Sequence, residues 1–221
     1  MILYLLCGFI IGILLPYIAR RFAKFMPATP AYAIWLLLYL SKHSKGYYQT
    51  KLFKKYFLRS VFSGVFCCLL TYVFIRNFGA VHIWWYFSFL WLVLLLAEID
   101  WRLYLLPDIL TVPLLILGFA AAAFNCGWVI PVDSAMGALF GYFMPIIVSV
   151  FMLKRSKDAF GGGDIKFLAA LGAWVGLVPL LYVVALASIL MLIYMLIKRK
   201  RYIAFGPALS LSAIMVAIYI F

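Results

Sequence analysis

Six acids punctuate a chain of 221 residues: Glu98, Asp100, Asp108, Asp133, Asp158 and Asp164. None precedes position 98, so any chemistry that needs a carboxyl belongs to the second half. Asp164 closes the run Gly161-Gly162-Gly163-Asp164, which follows the basic Lys154-Arg155-Ser156-Lys157 and opens an apolar stretch from Ile165 to Gly176. Successive glycines let a backbone approach a neighbour closely and open angles closed to other residues. A carboxylate at the edge of a membrane segment is costly unless it has a task. Asp100 ends a second apolar run. Two aspartates meeting at one lipid boundary suggest aspartyl-type peptide hydrolysis. Carboxylates about 3 Å apart cannot both ionise, so such a pair shares a proton. The ionised member takes a proton from a bridging water, and the protonated member hydrogen-bonds the scissile carbonyl. No metal and no nucleophilic Ser or Cys is required. His43 and His82 are isolated, and no GxSxG, HExxH or Ser/Lys signature offers a rival set.

The elements that must position these acids are membrane helices. Hydrophobic residues make up 69% of the chain and the mean hydropathy is +1.15. Soluble domains hold about 45–50% apolar residues. At roughly 20 residues per span, about eight spans fit. The expected fold is an all-α polytopic membrane protein with spans at about 1–19, 57–75, 82–99, 106–125, 129–153, 165–177, 179–197 and 203–221. The first span, Met1 to Ala19, lacks a basic n-region and a cleavage site and reads as retained. Residues 1–60 are expected to form a first helix plus a basic loop, and residues 61–221 the core that holds both aspartates. Within that loop, Ala33 to Leu40 is too short to span and is expected to lie in the interface.

The charges orient the spans. With residues 20–56 in the cytoplasm and the sides alternating, all 19 basic residues except Arg76 fall on the cytoplasmic side. Both termini are then outside. The same alternation puts Asp100 at the cytoplasmic end of the third span and Asp164 at the cytoplasmic start of the sixth. The net charge of +13 is thus a membrane-orienting charge, and no nucleic-acid recognition motif accompanies it. The lysines and arginines face anionic membrane lipids instead. The four cysteines, Cys7, Cys67, Cys68 and Cys126, form no CxxC pair, so no metal site is expected.

Each acid also has a plainer reading. Asp164 is placed to cap the helix after it. Asp100 is placed to pair with Arg102 or with the Lys154–Lys157 loop. Asp108 follows Pro107 and reads first as a helix cap, and second as a neighbour of the site. Glu98, two residues from Asp100, points from another helix face. Lys166 has three readings: biasing the charge of the aspartate pair, meeting a lipid phosphate, or pairing with a substrate acid. Asp133 reads as structural and Asp158 as solvated.

Two segments add a resemblance. Ile99-Asp100-Trp101-Arg102-Leu103-Tyr104-Leu105-Leu106-Pro107-Asp108-Ile109-Leu110-Thr111-Val112-Pro113-Leu114-Leu115-Ile116-Leu117-Gly118 resembles the first aspartate region of the type IV prepilin leader peptidases. Gly161-Gly162-Gly163-Asp164-Ile165-Lys166-Phe167-Leu168-Ala169-Ala170-Leu171-Gly172-Ala173-Trp174 resembles their GxGD region. Ala135 to Tyr142 and Ala204-Phe205-Gly206-Pro207 fit as well, so the resemblance covers roughly residues 95–221. It implies an aspartyl endopeptidase of the bacterial inner membrane that cuts the basic leader from prepilins or pseudopilins at the cytoplasmic face. Asp100 and Asp164 match its catalytic pair, and Gly161, Gly162 and Gly163 would let the loop close around an extended substrate. Many members also carry a zinc-associated loop with two CxxC pairs and methylate the new N-terminus with S-adenosylmethionine. Residues 20–56 hold no cysteine, and Phe57 and Ser60 replace a usual proline and glutamate. Neither cofactor is therefore expected. Two other functions compete: a non-enzymatic assembly factor of a pilus or type II secretion apparatus, and a small proton-coupled transporter. Loss of either aspartate would favour the first, and acids near the bilayer midplane the second.

Overall fold

The computed structural model describes residues 1–25, 49–78, 82–152, 161–199 and 204–221. Among the described residues the chain forms helices where the sequence is continuously apolar, because hydrocarbon leaves backbone polar groups no other partner. Among the described residues these are α1 (Ile2–Phe25), α2 (Gln49–Phe78), α3 (Ile83–Leu103), α4 (Asp108–Ala123), α5 (Pro131–Met152), α6 (Gly162–Val175), α7 (Leu177–Lys198) and α8 (Gly206–Ile220). One helix stands at each expected span. The protein is a polytopic all-helical membrane protein. By length and composition, α1, α2, α3, α5 and α7 can each cross a bilayer, while α4 and α8 are shorter apolar helices.

The helix ends depart from the expected spans in an instructive way. α1 runs on to Phe25 and α2 starts at Gln49, so both enter the segment expected to be a loop. Lysine, leucine and arginine are good helix formers, and a helix has no reason to stop at the membrane edge. The remainder of the basic segment, with the Ala33 to Leu40 stretch, lies outside the described residues. So do Lys154 to Lys157 and Asp158.

The chain divides into two compact units, Met1–Arg76 and Asn77–Phe221. In the first, α1 and α2 meet backbone to backbone. A Cβ at Gly12 would stand 2.6 Å from Cys67 Cβ, and one at Gly8 would strike Thr71. Small residues permit such close packing where lipid provides no hydrophobic drive.

In the second unit α6 is the central helix. Nine consecutive residues, Phe167 to Val175, are buried. It packs mainly against α5 and α4. Gly137 of α5 meets Gly172 of α6 so closely that a Cβ on either would overlap the other's carbonyl oxygen. Gly141 lies one helical turn further on, where a Cβ would stand 2.5 Å from the Leu168 carbonyl oxygen. Two buried hydrogen bonds lock this arrangement. Ser134 Oγ of α5 donates to the Ala173 carbonyl at 2.6 Å, and Trp174 Nε1 donates to the Leu114 carbonyl of α4 at 2.8 Å. α8 packs on α7 and α3, and Ser210 Oγ donates to the Val93 carbonyl at 3.2 Å. The first turns of α4, α6 and α8 and the last turn of α3 thereby gather at one end of this unit.

Candidate active site

α3 delivers Asp100 one turn before its end at Leu103, and the side chain is 4% exposed. The helix stops because Tyr104 turns into the left-handed region, with its N–H donating back to the Asp100 carbonyl. The neighbouring charges pair with each other and leave Asp100 alone. Arg102 Nε and Nη2 donate to Glu98 Oε1 at 2.9 and 2.6 Å, a same-helix pair four residues apart. The expected alternative of an Asp100–Arg102 pair is therefore not formed. Asp100 Oδ2 accepts instead from the backbone N–H of Gly206, the first residue of α8, at 2.8 Å.

Asp164 stands in the first turn of α6, one residue before the apolar run that begins at Ile165. Gly161 occupies the cap position with φ −68° and ψ 136°, and Asp164 makes no capping hydrogen bond. The capping alternative for Asp164 is not formed either. Burial, followed by the nearby charge of Asp100, raises its carboxyl from 3.8 to about 6. Desolvation and a like charge both disfavour ionisation. The pair expected from the sequence, 64 positions apart, is thus brought within electrostatic reach.

The three glycines differ in what they do. None adopts a positive φ, so the conformational freedom expected of them is not used. Close approach is the reason at Gly163, where a Cβ would stand 2.9 Å from the Leu106 carbonyl oxygen. This contact seats the α6 start on the α3–α4 connection. Among the described residues, nothing stands within 4 Å of a Cβ on Gly162, and a Cβ on Gly161 would meet Asp164.

Asp108 begins α4 and makes no capping bond, since Pro107 takes the cap position. Its Oδ2 accepts from Lys166 Nζ at 2.5 Å, a surface pair linking the starts of α4 and α6. None of the three readings of Lys166 names this partner; the geometry pairs it with an acid of its own chain. Beyond its place in the Ala204–Pro207 resemblance, Gly206 has no partner in the sequence reading. The signal present was the Gly206-Pro207 step itself, a helix-start pattern that does not say which carboxylate it will face. Among the described residues, no three His, Cys, Asp or Glu side chains group closely enough to hold a metal ion.

A membrane helix bundle with two close aspartates at one end defines a class of polytopic proteins with paired intramembrane-edge acids. Residues 87–196, which contain both aspartates, match the Type IV leader peptidase family, and the chain belongs to that family. Similar curated proteins are each named prepilin leader peptidase/N-methyltransferase. The one from Neisseria gonorrhoeae is 34% identical over 180 residues, covering 74% of this chain and 57% of that protein. The one from Dichelobacter nodosus is 36% identical over 135 residues, covering 59% and 47%. The Escherichia coli (strain K12) protein is 39% identical over 137 residues, covering 58% of each. The chain spans about half the length of the curated relatives it matches. No solved structure matches it.

Proposed function

We propose that this protein is a membrane aspartyl endopeptidase that removes the basic leader of type IV prepilin or pseudopilin substrates. The observation that carries the reading is the Asp100–Asp164 pair, assembled from α3 and α6 inside the family-matched segment. Family membership adds the substrate class, because the relatives are named for prepilin leaders.

The chemistry follows from two carboxyls and one water. One member of the pair is ionised and accepts a proton from the water. The other keeps its proton and donates a hydrogen bond to the scissile carbonyl oxygen. Water oxygen bonds to the carbonyl carbon, and the C–N bond breaks as the amine leaves with a proton returned by the pair. A like charge beside a buried carboxyl favours one proton shared by the pair. Among the described residues nothing stands within 4 Å of a Cβ on Gly162, which suits an extended substrate backbone beside the pair.

The peptidase core is assigned to residues 61–221 and the active end to the cytoplasmic face of the bacterial inner membrane, where the basic residues concentrate. The supporting argument is the charge alternation across the eight helices. Residues 20–56 hold no cysteine and Ser60 stands where a glutamate is usual, so cleavage without methyl transfer is proposed. Metal ligands from a CxxC pair are absent from the sequence.

Co-expression with candidate prepilins tests the reading. Leader loss should appear as a faster-migrating pilin, and mass spectrometry of the product should show an unmodified N-terminus. A full-length prepilin in the presence of inserted enzyme contradicts the peptidase reading. A product heavier by one methyl group contradicts only the methylation part.

A further inference from the structure

We infer that the backbone N–H of Gly206 holds the Asp100 carboxylate in its working orientation, which makes Gly206 a positioning residue of the aspartate pair. The inference rests on the peptidase reading and adds a component to its site.

Three observations converge. The first is the hydrogen bond itself, 2.8 Å long, buried, and joining residues 106 positions apart. The second is space. A Cβ built on Gly206 would stand 2.6 Å from Asp100 Oδ2, 3.0 Å from Cγ and 3.1 Å from Cβ. Three atoms of one carboxylate-bearing side chain line the gap, so any side chain at 206 must push that carboxylate aside. Gly206 has no positive φ, so contact, not backbone conformation, excludes other residues here. The third is the donor's place in its helix. Gly206 is the first residue of α8, where aligned peptide dipoles give the N–H groups partial positive charge. Pro207 follows and has no N–H to offer. The donor that reaches Asp100 has no substitute at the next position.

The consequence is geometric. Oδ2 is engaged by α8, while among the described residues Oδ1 accepts no hydrogen bond from the protein. Asp100 therefore presents one oxygen, in one direction, toward the position a bridging water must occupy between the acids. Displacing a reacting group by about 1 Å can cost roughly a hundredfold in rate.

Two variants of the full chain, purified and reconstituted in lipid nanodiscs, test this with a prepilin substrate. Gly206→Ala keeps the N–H and adds the collision. Replacing Gly206 by glycolic acid, introduced by nonsense suppression, keeps the shape and removes only the N–H. The ester form should lower kcat about tenfold or more, in line with the loss of a hydrogen bond to a charged group, and Gly206→Ala should lower it about tenfold or more by pushing the carboxylate aside. KM should stay within about twofold, because no contact with distant parts of the substrate changes. A merely structural cap on α8 would lower the melting temperature of the ester form and leave its kcat parental. A parental kcat in the ester form overturns the inference, whether or not Gly206→Ala folds. A parent protein that is folded and inserted yet cleaves no prepilin overturns the peptidase reading and this inference with it.

Discussion

Asp164 carries the clearest electrostatic signature of any residue at the membrane edge. Its carboxyl is raised from 3.8 to about 6 by burial and by Asp100. A carboxyl raised on folding contributes its stability fully below the unfolded value, and that contribution is lost as pH climbs through the folded one. Above about pH 6 the ionised Asp164 therefore opposes folding. Asp164→Asn should melt higher than the parent at pH 8, with the gap closing as pH falls below about 6. Thermal melts in detergent across that range check it, and a gap independent of pH contradicts the assignment. The glycines give a second contrast. Gly163→Ala must displace the Leu106 carbonyl, whereas Gly162→Ala meets no atom of the described residues. Overpacking of this kind costs about 1–3 kcal/mol, so the first variant should melt lower and the second should match the parent. At this scale the sequence marks the acids well, because a carboxyl in an apolar run stands out. It does not mark Gly206 or the Leu106 carbonyl, because backbone partners carry no residue type and lie 106 and 57 positions from the groups they serve.

α6 shows what a helix of only 14 residues can do in a membrane protein. At 1.5 Å per residue it is about 21 Å long, short of the roughly 30 Å hydrocarbon core. Its short apolar run and its small residues Ala169, Ala170, Gly172 and Ala173 are readable as a closely packed helix. What the sequence does not reveal is the partner. The Gly137–Gly172 contact depends on α5 crossing α6 at that register, which periodicity alone cannot specify. The apolar runs likewise announced the helices but not their ends, since α2 continues through Lys51, Lys54 and Lys55 without a breaking residue. Gly137→Leu should drive α5 from α6, lower the melting temperature and reduce processing, because Asp164 rides on α6. Trp174→Phe removes the donor to the Leu114 carbonyl and should cost about 1–3 kcal/mol while leaving the fold intact. A melting curve superimposable on the parent's contradicts the second expectation.

Taken as a whole molecule, the protein combines a second half that matches the family with a basic segment, residues 20–56, that holds no cysteine. The helices fall where eight spans are expected, so the topology becomes a testable statement. Reporter tags after Lys45, Ser156 or Lys200 should face the cytoplasm, and tags near Asn77, Asn125 or Phe221 should face outside. A cytoplasmic report from Asn125 breaks the alternation that puts Asp100 and Asp164 on one membrane face. The expected orientation rests on lysine and arginine, which are costly to translocate and so mark the side on which a loop is expected to remain.

The most direct test of the aspartate pair is the processing rate of Asp100→Asn and Asp164→Asn, each measured with a prepilin substrate in membranes that contain equal amounts of inserted protein. Asparagine keeps the side-chain shape, and at position 100 it can still accept the Gly206 N–H, but it cannot exchange a proton with water. The account predicts that each variant inserts normally and leaves the leader uncleaved. Cleavage near the parental rate by either variant contradicts it.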